Sequence, residues 1–318
     1  MGDNEILIKN RYVGLCHSDL PPYLGIGCTG FNKNGYHVML TNIPYPFELG
    51  HEPLGVVVDK GKSVTKYALG DTVSGMTYNA FADHFIVDAD NAFQKVNPDP
   101  MRYPIAEPLM CIANIARIAQ PEFGDTVAVI GCGYMGLLAL MALRAENLKE
   151  LVAIDIKDER LALAQKYGAT KIINSTKEDV EDAAFRYSGG TLFDIVIEIS
   201  GSLRGFDTAL SVIRLADRVG HRGRGKILLP SVYGKEEKWS IRTGWNMMLK
   251  SPVMHVAHPR YAIDVIDTMR RGVEMYDKGV LKQDELITHR VPFAEISRGF
   301  EILESGDPSY IKGVIVFD

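Results

Sequence analysis

The sequence is poor in cysteine, has no dense basic block and contains no apolar run long enough to cross a membrane. Its four cysteines, Cys16, Cys28, Cys111 and Cys132, form no C-x-x-C pair. A disulfide framework is not expected in a chain of this length, and the polar start Met1–Asn10 does not resemble a signal peptide. We therefore expect a cytosolic protein whose thiols are reduced and act as metal ligands or apolar packing groups.

Composition and charge exclude two kinds of partner. Hydrophobic residues make up 46% of the chain and charged residues 24%, and the net charge is −5. Nucleic-acid and anionic-membrane surfaces need clustered Lys and Arg, so we expect neither partner. The length of 318 residues is enough for one large domain or two ordinary ones.

Hydrophobic periodicity divides the chain into a β-rich first third and a middle in which strands and helices alternate. Short strands between Gly and Pro turns are predicted at Glu5–Lys9, Leu54–Asp59, Phe85–Val87 and Phe93–Val96. The alternating strands and helices that follow are predicted at Thr126–Ile130, Tyr134–Glu146, Leu151–Ile154, Lys157–Tyr167, Lys171–Ile173, Lys177–Tyr187, Asp194–Glu198 and Leu203–Ile213. Later elements are expected at Tyr261–Gly272 and Phe293–Leu303 (helices) and Gly313–Phe317 (strand). Such alternation is typical of an α/β protein with a parallel sheet.

A glycine-rich turn follows the first strand of this alternating region. Gly131, Gly133 and Gly136 form a G-x-G-x-x-G motif whose variable positions include Tyr134 and Met135. The first glycine permits the tight turn, the second lets the backbone approach a pyrophosphate, and the third lets helix and strand pack closely. In this βαβ context the motif predicts a Rossmann dinucleotide site, with a glycine turn that binds another nucleotide or none as the alternative.

Asp155 ends the next strand, 155 − 136 = 19 residues after the last glycine. An acid at about this offset binds the ribose hydroxyls of NAD. Its charge would repel a 2′-phosphate, which favours NAD over NADP, although the nearby Lys157 and Arg160 could weaken that preference.

Two segments carry the side chains that a catalytic zinc uses. They are Gly14–Asp19, which contains Cys16, and Glu48–Glu52, which contains His51. A thiolate, an imidazole and a carboxylate are typical zinc ligands. On their own, a single cysteine and a distant histidine are more often structural.

Four motifs together resemble the zinc-dependent medium-chain dehydrogenase/reductase family of the alcohol dehydrogenase superfamily. They are G-x-C-x-S-D at Gly14–Asp19, G-H-E-x-x-G-x5-G-x-x-V from Gly50 to Val64, E-P-L at Glu107–Leu109 and T-H-R at Thr288–Arg290. The motifs occur in the family's order and span nearly the whole chain. The last two are similar to those of the sorbitol, threonine and sugar-alcohol dehydrogenase branch.

This resemblance implies a fold and a reaction. The expected fold is a β-rich GroES-like catalytic domain, residues 1–108 and 284–318, with a Rossmann NAD domain, residues 109–283. The implied reaction is hydride transfer between NAD and a secondary alcohol, with a small-molecule alcohol or ketone as the partner. Within the superfamily, a zinc-free enone or quinone reductase is the alternative enzyme. A nucleotide-binding regulator without turnover is the alternative of another class.

The resemblance also assigns the site residues. It makes Cys16, His51 and Glu107 the persistent zinc ligands, with Glu52 close by and able to exchange. Asp19 would accept a hydrogen bond from the other His51 nitrogen.

The resemblance also suggests roles for Ser18 and Arg290, and each of these residues has a structural alternative. The hydroxyl of Ser18 would begin the proton relay, or else form only a local turn. Arg290 would contact a substrate hydroxyl, or else form a surface salt bridge. Tyr23, Trp245 and His255 are weaker pocket candidates, and Cys111 and Cys132 are interpreted as packing residues.

The chain departs from the family pattern in three places. Asp71–Phe85 contains no cysteine, so we expect one zinc per subunit and no structural zinc. The family's opening hairpin is missing, so a strand edge is expected to be exposed or covered by a partner. The segment Leu24–Phe47 is longer than usual and is expected to line the substrate cleft. Relatives suggest a homodimer or homotetramer, with the sheet edge near Leu228–Val232 as the expected contact.

Overall fold

A computed structural model describes residues 1–31, 33–34, 36–40, 46–91, 93–99, 101–215, 225–231, 233, 241–259 and 262–318. Packing divides the chain into two units. The first unit comprises Met1–Met110, Met269–Asp277 and Lys282–Asp318, and the second comprises Cys111–Thr268 and Lys278–Leu281. The domain boundaries predicted from the sequence place 269–277 in the Rossmann domain. In the structure this segment packs with the first unit.

The strands are numbered in chain order. They are β1 Glu5–Leu15, β2 Cys28–Phe31, β3 His37–Leu40, β4 Pro53–Lys60, β5 Thr72–Gly75, β6 His84–Asp88, β7 Phe93–Lys95, β8 Thr126–Ile130, β9 Glu150–Asp155, β10 Lys171–Asn174, β11 Ile195–Glu198, β12 Lys226–Leu229, β13 Val253–Val256, β14 Ile287–Pro292 and β15 Lys312–Val316. The α-helices are α1 Leu20–Tyr23, α2 Ala106–Ala119, α3 Tyr134–Leu143, α4 Asp158–Lys166, α5 Val180–Ser188, α6 Leu203–Val212, α7 Ile241–Lys250, α8 Val265–Asp277 and α9 Ile296–Ser305.

The first unit is built on a mostly antiparallel sheet. Its strands lie in the order β14-β15-β1-β4-β5-β7, and β6 also pairs with β1. Buried and exposed side chains alternate along β6, and the buried ones are Phe85 and Val87. They join a core that includes Ile6, Ile8 and Phe300. The alternation is what a strand with one buried face requires.

A strand edge near the start of the chain is expected to be exposed or covered by a partner, but the structure pairs Glu5–Lys9 on both sides within the same unit. Ile6 pairs with Lys60 of β4 on one side and with Val87 of β6 on the other. Later strands of the same unit therefore pair with the backbone of this segment on both sides. The long segment Leu24–Phe47 contains the antiparallel hairpin β2–β3, in which Cys28 pairs with Leu40.

The second unit is built on a parallel sheet, as the alternating pattern predicts. Its strands lie in the order β10-β9-β8-β11-β12-β13. Strand β8 is buried along its whole length, which explains its unbroken apolar sequence. Strands β9 and β10 extend to one side of β8, and β11 to β13 extend to the other. The carboxyl ends of β8 and β11 therefore flank a topological switch point, where sheets of this kind bind ligands.

Several helix predictions have shifted bounds, and two of these helices lie near the end of the chain. The helix expected at Tyr261–Gly272 is α8, which begins at Val265, and Tyr261 lies outside the described residues. The helix expected at Phe293–Leu303 begins as a 3-10 turn, Phe293–Glu295, and continues as α9. Within the described ranges, no helix combines the length and the apolar character needed to cross a membrane.

Candidate active site

Antiparallel pairing brings the two predicted metal-binding segments of the first unit together. Cys16 directly follows β1, and His51 and Glu52 directly precede β4. Val13 of β1 pairs with Pro53 of β4, so these two strand ends lie side by side.

Gly14 allows the two segments to approach closely. Its N–H donates to the Glu52 carbonyl at 3.0 Å. A Cβ at this position would lie 1.9 Å from Glu52 Oε2, so any other residue would displace the carboxylate from its place.

Three side chains converge at this point. Cys16 Sγ, a ring nitrogen of His51 and a carboxylate oxygen of Glu52 all lie within 4.8 Å of one another. Ser18 lies beside them: its hydroxyl donates to Cys16 Sγ at 3.2 Å and is 3.3 Å from His51 Nε2. The short 3-10 turn His17–Asp19 after Cys16 is what returns Ser18 toward the thiol.

Asp19 orients the His51 ring. Its Oδ1 lies 3.0 Å from His51 Nδ1, and its side chain is 6% exposed. Since a carboxylate can only accept from the ring, the Nδ1 proton faces Asp19 and Nε2 faces Cys16 and Glu52. Burial opposes a charge on His51, but the Asp19 carboxylate and the Cys16 thiol hold its pKa well above 6.5. A metal ion bound at Nε2 would therefore displace a proton.

Glu52 forms a buried ion pair that the sequence analysis did not predict. Its Oε2 lies 2.5 Å from Lys312 Nζ, and the side chains are 2% and 5% exposed. Burial raises the pKa of Glu52, but the charges of Lys312 and His51 outweigh that effect and hold the pKa below its usual value. Lys312 is the first residue of β15, within an otherwise apolar segment. A lysine in such a segment is the signal that could have identified it.

Glu107 is the second residue of α2 and is also buried, at 8% exposure. The 4.8 Å group contains Glu52 rather than Glu107. The structure therefore brings together Cys16, His51, Glu52, Ser18 and Asp19, and it places Glu107 outside their immediate group.

The donor set fits a catalytic zinc. One thiol, one imidazole nitrogen and one carboxylate oxygen within 4.8 Å are the ligand types that zinc prefers. The imidazole is also oriented through its second nitrogen, as metal-binding histidines usually are.

The glycine loop of the second unit has the geometry of a phosphate-binding turn. Gly131 has φ of +95°, and a Cβ there would lie 2.8 Å from the Ser200 backbone. A Cβ on Gly136 would lie 1.9 Å from the Gly131 carbonyl. The space in front of Gly133 is open, and this residue caps α3 without a side chain. The amino end of α3, which begins with Tyr134 and Met135, thus borders this open space, and helix amino ends are where anions bind.

Asp155 stands at the carboxyl end of β9 and supports this loop. Its Oδ2 accepts from the Cys132 N–H at 2.7 Å, and its Oδ1 accepts from the N–H groups of Ile156 and Lys157 at 2.7 and 2.9 Å. A carboxylate accepts about four hydrogen bonds, so Oδ2 retains capacity for a ribose hydroxyl. Arg160 is buried within α4.

The remaining candidates make packing contacts. Arg290 is exposed, and its Nε donates to Tyr103 Oη at 2.5 Å with its guanidinium over the same ring. Tyr23 stacks on Phe300 with ring centroids 4.0 Å apart.

The other candidates lie in the second unit or in α2. Trp245 of α7 is 54% exposed, and His255 is partly buried in β13. Cys132 is fully buried, and burial raises the pKa of its thiol, so the thiol stays protonated. Cys111 is partly buried in α2.

Two segments of the chain match known protein domains. Residues 2–95 match the alcohol dehydrogenase GroES-like domain, and residues 135–228 match the zinc-binding dehydrogenase domain. The chain belongs to the zinc-dependent medium-chain dehydrogenase family. This confirms the predicted α/β fold class of a GroES-like domain with a Rossmann domain. The family's cofactors are zinc and a nicotinamide dinucleotide.

Individual relatives of this medium-chain dehydrogenase are distant but match over most of their length. L-threonine 3-dehydrogenase of Shewanella woodyi is 26% identical over 96% of this chain and 91% of its own. Erythritol/L-threitol dehydrogenase of Mycolicibacterium smegmatis is 26% identical over 96% and 89%. The crystal structure of galactitol-1-phosphate dehydrogenase from Escherichia coli superimposes with a TM-score of 0.77 at 21% identity, covering 99% of this chain and 93% of that one.

Proposed function

We propose that this chain is a zinc-dependent, NAD-linked dehydrogenase that interconverts a secondary alcohol of a polyol, sugar or cyclitol and the corresponding ketone. The observation that carries the proposal is the group formed by Cys16, His51 and Glu52 with the Ser18 hydroxyl beside it. The relatives named for threonine, for erythritol or threitol, and for galactitol 1-phosphate support a hydroxyl-bearing substrate.

Each residue of the first unit then has a role. Cys16 and His51 would hold the zinc together with a carboxylate, with Glu107 as the persistent ligand and Glu52 able to exchange. When bound, zinc supplies a Lewis acid that lowers the pKa of a substrate hydroxyl. Ser18 Oγ would take up the proton of that hydroxyl as it passes its own proton to solvent, to which Ser18 is exposed, while Asp19 keeps the proton of His51 on Nδ1.

Arg290 remains a candidate for substrate contact. Because its Nε is engaged by Tyr103, its two terminal nitrogens are the groups that would meet a substrate hydroxyl.

The preference for NAD rests on the second unit. Gly131, Gly133 and Gly136 shape the loop, and Tyr134 and Met135 begin the helix that faces the pyrophosphate. The Asp155 carboxylate would repel a 2′-phosphate, and Arg160 lies in the following helix as a neighbour of the same site.

The test is elemental analysis of the purified protein, followed by NAD reduction assays with polyols, sugars, cyclitols and amino alcohols. We expect about one zinc per subunit and NADH formation with at least one of these alcohols. Zinc-free protein that reduces enones or quinones would favour the zinc-free reductase. NAD binding without turnover of either kind of substrate would favour a non-catalytic regulator.

We also propose that the chain forms a homodimer through the edge of its parallel sheet. The sheet edge expected near Leu228–Val232 is not formed by β12, which lies between β11 and β13, and Val232 lies outside the described residues. Among the described strands, β13 ends the sheet, and Val256 in it is 76% exposed. An apolar parallel edge of this kind is normally covered.

The substitution Val256→Lys is therefore expected to convert the dimer to a monomer, because a charge on an edge strand prevents strand pairing. Light scattering after size-exclusion chromatography gives the mass of each species. Val58→Lys is the matched control, since Val58 is 40% exposed on β4 of the first unit. A dimer that survives Val256→Lys would place the interface elsewhere.

A further inference from the structure

Ser74 connects the two segments that carry the predicted carboxylate ligands. It lies in β5 and is fully buried, at 0% exposure. Its hydroxyl donates to the Pro53 carbonyl at 2.7 Å. The same oxygen accepts from the Ala106 N–H at 2.8 Å. Pro53 follows Glu52 and Ala106 precedes Glu107, so one hydroxyl joins the chain next to both carboxylates.

The two hydrogen bonds of the Ser74 hydroxyl fix the position of α2, which strand pairing does not fix. Ser74 is paired with Leu54 in the sheet, which fixes the register of β4 and β5 but not the position of α2. The N–H groups of the first helical turn have no partner within the helix. Ser74 supplies one for Ala106, so the start of α2 is fixed against β5 by a side chain.

A second side chain, Gln283, holds the residue that precedes the same helix. Gln283 is fully buried, and its amide accepts from the Ile105 N–H at 2.9 Å and donates to the Ile105 carbonyl at 3.1 Å. Ile105 and Ala106 are therefore both fixed. What remains to be set is the spacing between this helix start and the Glu52 segment, and Ser74 is the group that spans it.

We propose that Ser74 is a positioning residue that sets the spacing of Glu52 and Glu107 and thereby the affinity of the site for zinc. The inference rests on the proposed function, because it assumes that one or both carboxylates bind the metal. Removing the hydroxyl leaves a buried carbonyl and a buried N–H without this partner, so the two segments would relax apart. Losing a group that orients metal ligands typically weakens metal affinity about 10- to 100-fold.

The test compares Ser74→Ala with Tyr67→Phe on the full chain. Tyr67 is an equally buried residue of the same unit whose hydroxyl donates to the Phe93 carbonyl at 3.0 Å, and Phe93 does not adjoin either carboxylate residue in the sequence. Zinc affinity is measured by competition with a chromogenic chelator, and stability by urea unfolding. We expect Ser74→Ala to weaken zinc binding about 10-fold or more and Tyr67→Phe to leave it unchanged, although both lose a buried hydrogen bond.

Two further variants separate positioning from stability. Ser74→Thr keeps the hydroxyl and should retain most of the zinc affinity even where its extra methyl lowers stability. In a Glu107→Gln background, Ser74→Ala should have a smaller effect than in the wild type, because the two changes act on one interaction.

The outcomes are distinct. Equal zinc affinity of wild type and Ser74→Ala, or additive effects with Glu107→Gln, would overturn the role of Ser74 while leaving the dehydrogenase proposal intact. A folded wild type that binds no zinc would overturn both.

Discussion

Cys16→Ser is expected to abolish zinc binding and to lower kcat/KM by about four orders of magnitude, while NAD binding is retained. Cys16 is the thiol of the group within 4.8 Å. A serine hydroxyl has nearly the same shape, but it is not ionised at neutral pH and supplies no anionic ligand. Lewis-acid stabilisation contributes several kcal/mol to the barrier, and each 1.4 kcal/mol corresponds to about a tenfold change in rate.

The Cys16→Ser substitution should affect only the first unit. The glycine loop and Asp155 belong to the second unit and make their own contacts there. NAD affinity, measured by calorimetry, should therefore change by less than about twofold, since none of the residues that shape the glycine loop is altered. Zinc content is measured by elemental analysis on the same preparation.

Cys28→Ser is the matched control, because it makes the same chemical change at a buried cysteine of the same unit. It should keep its zinc and its turnover. Cys16→Ser protein with wild-type zinc content would remove Cys16 from the ligand set and with it the proposed mechanism.

Local sequence was sufficient for the parts of the fold and site that depend on neighbouring residues. The turn at Gly131 follows from a buried strand, a positive φ and a following helix, all within a few residues. Cys16 and His51 are 35 residues apart, yet each sits in a short motif with its own signal. The resemblance then supplied the pairing that spacing alone could not.

Contacts between segments that are far apart in the sequence could not be predicted from local sequence. Lys312 reaches Glu52 because β15 pairs with β1, and no periodicity within either segment indicates that pairing. The bridge made by Ser74 depends likewise on how α2 approaches β5. The edge of the parallel sheet is misplaced because β13, with the sequence Val-Met-His-Val, has a weaker strand signal than the Val- and Ile-rich strands before it.

Lys312→Met is expected to lower the free energy of unfolding of the zinc-free protein by about 3–5 kcal/mol at neutral pH. Methionine keeps much of the packing volume, but it leaves the Glu52 carboxylate, which is 2% exposed, without the cation that lies 2.5 Å away. An uncompensated buried charge accounts for most of the cost when one member of such a pair is removed. Urea unfolding measures the change directly.

The pH dependence of the Lys312→Met effect follows from Glu52. In the wild type its folded pKa is depressed, so the ionised form adds stability above the unfolded pKa, and that stability is lost as the pH falls through the folded pKa. Without Lys312, burial dominates and raises the folded pKa, so protonation at mildly acidic pH relieves the buried charge. The stability difference between wild type and Lys312→Met should therefore shrink as the pH falls.

A double-mutant cycle tests whether the effect passes through Glu52. Glu52→Gln removes the charge, so Lys312→Met combined with Glu52→Gln should be more stable than Lys312→Met alone. If the double variant loses the sum of the two single losses, Lys312 stabilises the unit by packing rather than by pairing with Glu52. The buried lysine would then not be what keeps Glu52 ionised beside Cys16 and His51.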